Sequence, residues 1–134
     1  MRNITHLVVH CTATPQSATV ASIQRYWRQV MGWRSPGYHI IVLPNGTAVR
    51  LAPDEATTNG VRGHNATSLH VSYIGGVGTN GRPLDNRTPE QKVALLRVIN
   101  EWHALYPSAT VQGHRDFPGV TKACPSFDAR TEYA

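Results

Sequence analysis

The stretch YHIIVLPNGTAVRL, residues 38–51, decides the fold class. Its first half, Tyr38 to Leu43, is a short apolar run rich in β-branched residues, which reads as a strand. Pro44-Asn45-Gly46 follows as a turn, because Asn-Gly tolerates the positive φ angles that tight hairpins require. Thr47 to Leu51 then returns as the partner strand. An antiparallel hairpin is therefore expected here, and the flanking segments decide what it belongs to.

Upstream, Ile4 to His10 (ITHLVVH) is a β-branched run of strand length, followed by the Thr/Ser/Pro loop CTATPQSAT. From Thr19, apolar positions Ile23, Tyr26 or Trp27, and Val30 recur at three- and four-residue spacing, which predicts an amphipathic helix ending near Gly32. Downstream, residues 52–68 show no period and are rich in Asn, Thr and Gly, the character of a long surface segment that carries binding residues. Leu69 to Ile74 reads as a strand, and GGVGTNGRPLDN as a flexible loop. Thr88-Pro89-Glu90-Gln91 opens a second helix: Thr88 suits the N-cap, Pro89 the first helical position, and Gln91 completes a capping box. Leu95, Ile99, Trp102 and Tyr106 form its apolar stripe, and Pro107 ends it. Ala109 to Gln112 is a short strand leading into GHRDFPG, and the tail from Ser126 has room for one or two helical turns. Strands and helices alternate around one hairpin. The expected class is α/β, a single domain over residues 1–134 with a central mixed β-sheet flanked by α-helices.

With 134 residues, 40% hydrophobic and 16% charged, the composition is that of a globular chain able to build a core. The N-terminus lacks the apolar h-region of a secretory signal, and no stretch nears the length of a membrane span. The expectation is a protein synthesised in the cytoplasm without a signal peptide and without membrane insertion. The net charge of +5 suits an anionic partner. Eleven of the 13 basic residues are Arg, yet they are scattered from Arg2 to Arg130. Nucleic-acid binding predicts a clustered basic stripe with interleaved aromatics, so no nucleic-acid partner is expected.

Three groups sit where strands give way to loops: His10, His114 and Cys124. Imidazole and thiolate are ligands zinc favours, and catalytic zinc sites usually take three protein ligands. Seven His and two Cys offer many such triples, so the spacing leaves isolated core or surface histidines open as an alternative. Alternation along the strand sends Cys11 to the face opposite His10, which makes it a small core residue rather than a ligand. Cys124 follows Lys122 by two positions, and a nearby cation favours thiolate. A Cys11–Cys124 disulfide, and a cysteine nucleophile paired with His114, also remain open.

The segments VVHCTAT, GYHIIV, GHN, GHRDFPG and KACPSFD resemble, in order and spacing, the type 2 N-acetylmuramoyl-L-alanine amidases, bacteriophage lysozyme-type enzymes similar to peptidoglycan recognition proteins. The resemblance runs from about residue 4 to residue 128. It implies a zinc-site groove on one face of the sheet, with His10, His114 and Cys124 as metal ligands. It implies Tyr38 and Lys122 as catalytic residues, Lys122 stabilising the oxyanion, and His64 and Asn65 as substrate-binding residues at the groove. The reaction implied is zinc-dependent hydrolysis of the amide between N-acetylmuramic acid and L-alanine in peptidoglycan, for endolysin-like lysis of the cell wall by a monomer. The alternative is a non-catalytic peptidoglycan-binding module on the same fold, against which stand Cys124, Tyr38 and Lys122 together. Relatives often carry Ser-Ile-Gly-Ile where this chain has Ser68-Leu69-His70-Val71, so His70 is expected either to face the groove or to meet solvent on an edge. Asp116 is expected as a turn aspartate or a partner to a ligand histidine, and His39 as a core or supporting residue. His6 and His103 are given no role.

Overall fold

The computed structural model describes residues 2–133. Five strands form one sheet: β1 (His6–Cys11), β2 (Ile40–Val42), β3 (Ala48–Arg50), β4 (Ser68–Tyr73) and β5 (Thr110–Gly113), in the order β3-β2-β4-β1-β5. Only the edge hairpin β2–β3 is antiparallel, and its Gly46 adopts φ +88. The three inner pairings, β2–β4, β4–β1 and β1–β5, are parallel. Parallel strands covered on both faces read as continuous apolar runs, as LVV of β1 and IIV of β2 do. The sheet is mixed and flanked by helices, as expected.

The two faces are covered differently. Helix α2 (Pro89–Leu105) lays Leu95, Ile99 and Trp102 over Leu7, Val9, Leu69, Val71 and Tyr73, the main core. Its start has the expected cap: Thr88 accepts from the Gln91 amide, and the Gln91 side chain accepts from Thr88 N–H. The side-chain Nε2 of Gln91 donates to the carbonyls of Val42 and Ile74, so the cap also anchors the helix to the sheet. On the opposite face, α1 (Val20–Gln29) packs Ile23 and Trp27 against Ile41 and Ile74. Trp27, not Tyr26, takes the inward position, and Val30 is 66% exposed because the helix ends at Gln29 and Val30 is already its C-cap.

The tail is one short turn, α3 (Ala129–Glu132). It is tied to the start of α2 by Arg87, whose buried guanidinium bonds Asp85, Glu132 and the Tyr133 hydroxyl and lies 3.4 Å over the Phe127 ring. No helix among the described residues is long and apolar enough to cross a membrane.

Candidate metal centre

His10 is the penultimate residue of β1 and pairs in register with Ser72. Alternation turns its ring away from α2, onto the face that α1 only partly covers. There it is 1% exposed. His114 begins a one-turn 3₁₀ helix, His114–Asp116, directly after β5. Asp116 fixes that turn, accepting from Gly113 N–H at 2.8 Å, with its other oxygen 3.7 Å from Arg130. The turn-aspartate reading therefore describes it. Cys124 comes from an irregular segment pinned at three points. Arg115 N–H donates to its carbonyl at 2.9 Å, the Tyr73 hydroxyl to the carbonyl of Pro125 at 2.7 Å, and Ser126 to the carbonyl of Gly76 at 2.8 Å. The first of these bonds joins two ligand-bearing segments directly.

Candidate ligand atoms of His10, His114 and Cys124 all lie within 4.8 Å of one another. His10 Nδ1 is 3.7 Å from Cys124 Sγ. Tetrahedral zinc, with its usual bonds to nitrogen and sulfur, would hold the two about 3.5 Å apart, so the donor set fits that ion in chemistry and in spacing. The Cys11 backbone N–H donates to Cys124 Sγ at 3.2 Å, support suited to a thiolate. The Cys11 side chain belongs to the core under α2, and both cysteines are free thiols.

Burial and the neighbouring histidines hold His10 well below its ordinary pKa, while burial and Lys122 lower His114 to about 4. Both rings therefore keep a nitrogen lone pair at neutral pH. Contact with the Cys11 thiol, then burial, pushes the Cys124 thiol up, and Lys122 pulls it the other way. A cation binding here has to displace that proton.

Beside the three groups opens a cleft of about 560 Å³, lined among others by Trp27, Trp33, Tyr26, Tyr38 and Lys122. The Tyr38 ring lies 5.0 Å from that of His10, and its hydroxyl donates to the Cys11 carbonyl at 3.3 Å. Burial and the nearby cysteines raise its pKa far above the ordinary value. Neither His64 nor Asn65 is among the residues lining this cleft. His64 packs its ring 4.6 Å from Phe117, and Asn65 Oδ1 accepts from Val61 N–H at 2.8 Å.

His70 differs from both expectations. It lies on the inner strand β4, wholly buried, neither at an edge nor on the groove wall, with Nδ1 2.9 Å from His10 Nε2. His39 is buried as well, accepting from the His70 N–H at 3.1 Å. The aromatic cleft wall and the Cys11 amide are further parts of the site that residue pattern alone does not reveal. A Trp on a helix stripe reads as core, and a backbone donor leaves no mark in sequence.

Residues 1–127 match the family described as N-acetylmuramoyl-L-alanine amidase. An endolysin of Enterobacteria phage K11 is 39% identical over 121 residues, which cover 90% of this chain and 79% of the phage protein. Among solved structures, the Ph2119 endolysin from Thermus scotoductus MAT2119 bacteriophage Ph2119 superposes with a TM-score of 0.79 at 26% identity, over 93% of this chain and 79% of its own. Drosophila Peptidoglycan Recognition Protein (PGRP)-SA shares the fold, with a TM-score of 0.75 at 13% identity over 98% of this chain and 78% of its own.

Proposed function

From the premise that this chain belongs to the N-acetylmuramoyl-L-alanine amidase family, we propose that it is a zinc-dependent enzyme that cuts the bond between N-acetylmuramic acid and L-alanine and lyses the cell wall as an endolysin does. The reading treats the chain as one amidase domain acting as a monomer on peptidoglycan, once released to the wall. The observation that carries it is the convergence of His10, His114 and Cys124 from three separate segments beside one open cleft.

His10, His114 and Cys124 would hold the cation with three protein ligands, the number usual in catalytic rather than structural zinc sites. Zinc, when bound, supplies a nucleophile at neutral pH and a Lewis acid for the amide carbonyl. The protein's own groups do the rest. Lys122, an exposed ammonium at the cleft, would donate to the carbonyl oxygen as negative charge grows there. Tyr38 keeps its proton at neutral pH, so it acts as a hydrogen-bond donor that orients the reactants and not as the base. The Trp27 and Trp33 side of the cleft supplies apolar surface for the uncharged parts of a muropeptide.

Digestion of purified peptidoglycan tests this directly. Mass spectrometry is expected to find free stem peptides beginning with L-alanine, with activity abolished by EDTA and restored by zinc. Activity that survives thorough chelation would sink the zinc mechanism. Tight binding to peptidoglycan without any released peptide would instead identify a binding module.

A further inference from the structure

His70 is a buried imidazole for which the catalytic scheme above has no use. Both His70 and the ligand His10 point to the same sheet face, since Val8 and His70 are register partners and His10 lies two residues beyond Val8 on its strand. The polarity of the hydrogen bonds around them follows from a single fixed donor. Val61 N–H can only donate, and it does so to Asn65 Oδ1 at 2.8 Å, which identifies that Asn65 atom as the amide oxygen. An amide oxygen only accepts. The His70 Nε2 that stands 3.0 Å from it therefore carries the hydrogen.

Among the described residues, the ring nitrogens of His70 meet only Asn65 and His10, and neither is an anion that would hold a second proton on the ring. Its Nδ1 is thus an acceptor, and the partner at 2.9 Å, His10 Nε2, must donate. One step remains. If His10 carries its hydrogen on Nε2, its bare lone pair is on Nδ1, the nitrogen 3.7 Å from Cys124 Sγ. The relay runs from the Val61 amide through Asn65 and His70 to the metal-facing atom of His10, and each link fixes the next.

We propose that His70, held by Asn65, is a positioning residue that locks His10 in the Nε2–H tautomer and presents Nδ1 to the metal. Metal-bound histidines generally donate their second N–H to a carboxylate, carbonyl or water. Here that acceptor is a neutral imidazole, which orients and fixes the tautomer without adding charge to the centre. The surrounding chain is fitted to it. A Cβ on Gly60 would run into the His70 ring, so the loop over β4 can close on a histidine only with glycine at that position. The His70 backbone N–H donates in turn to His39 Nδ1, which holds the strand below the ring.

The inference rests on the zinc reading above, and its test separates the two. In the zinc-free wild-type chain, long-range ¹H–¹⁵N spectra of the histidine rings are expected to show both His10 and His70 as Nε2–H tautomers. Zinc affinity, measured by competition with a chromogenic chelator, is expected to fall by about 10–100-fold in His70→Leu, which fills the space without an acceptor. His70→Asn, whose carbonyl oxygen stands where Nδ1 was, is expected to recover most of that loss. A wild-type spectrum with His10 as Nδ1–H, or a folded His70→Leu protein that binds zinc as tightly as wild type, would overturn the positioning role alone. A wild-type protein that binds no zinc would overturn the metal reading with it.

Discussion

The candidate centre is built from two unlike halves. On one side stands His10, in a strand hydrogen-bonded to neighbours on both edges, its ring fixed by His70 and Asn65. On the other stand Cys124 and Lys122, in a segment without regular structure that three hydrogen bonds pin in place. His114 joins the halves, since it leaves the sheet on β5 and its neighbour Arg115 bonds the Cys124 carbonyl. The difference teaches where each kind of rigidity comes from. The sheet holds its ligand through continuous strand pairing, whereas the loop ligand depends on a few separate bonds from Tyr73, Ser126 and Arg115.

Removing one ligand from each half tests that division, and gives the largest effects. His10→Ala and Cys124→Ala are each expected to cost about 10³-fold or more in peptide release, because either loss would dismantle the proposed metal centre. Their effects on the zinc-free fold should differ. His10→Ala opens a cavity and strands the His70 acceptor, at a cost of about 3 kcal/mol. Cys124→Ala removes a half-buried sulfur from a loop and costs about 1 kcal/mol. Urea unfolding of the two variants without metal measures this, and equal losses would erase the distinction between the halves.

Next in size is Lys122→Met, which keeps the length of the side chain and removes its charge. The expected loss is about 10²–10³ in kcat, the usual worth of one oxyanion donor, with zinc content and unfolding midpoint unchanged. A loss of bound zinc would mean that Lys122 acts through Cys124 rather than on the substrate.

The sheet half should also answer to acid. Burial keeps His10 far below its ordinary pKa, and burial with Lys122 keeps His114 at about 4. Below about pH 6.5 the unfolded chain binds protons that the folded chain refuses, so stability falls as pH falls. Each such histidine adds about 1.4 kcal/mol per pH unit to the slope between its two pKa values. Asp85 and Glu132, lowered mainly by their bonds to Arg87, contribute only at more acidic pH. Urea midpoints of the zinc-free protein are therefore expected to drop between pH 6.5 and 4.5. A flat profile there would show that the rings are solvated.

The same two halves explain what sequence alone could disclose. Features with local causes were legible: the Asn45-Gly46 turn, the Thr88–Gln91 capping box, and the alternation that separates His10 from Cys11. The Cys124 segment was legible only by resemblance, because the bonds that place it reach from Tyr73, Gly76 and Arg115, which no period links. His70 stood out only as a departure from its relatives, and its buried place beside His10 was not legible. Its partner His10 is 60 residues away, and nothing near it marks β4 as an inner strand or Gly60 as the residue that covers it. A histidine in a short strand is compatible with groove, edge and interior alike.

Cys11 is where the halves touch, and it carries the smallest predicted effect. Its backbone serves the site from both ends, the N–H donating to Cys124 Sγ and the carbonyl accepting from Tyr38. Its side chain is packed in the core under α2, with the thiol resting against that of Cys124. Cys11→Ala leaves the backbone donor and acceptor in place, because any residue but proline offers both. The expected cost is about 1 kcal/mol of stability for the lost sulfur, with zinc stoichiometry and peptide release retained. Zinc loss as deep as that of Cys124→Ala would show that the Cys11 sulfur itself holds the ion, and strand alternation would then have failed as a guide to which of two adjacent residues faces the metal.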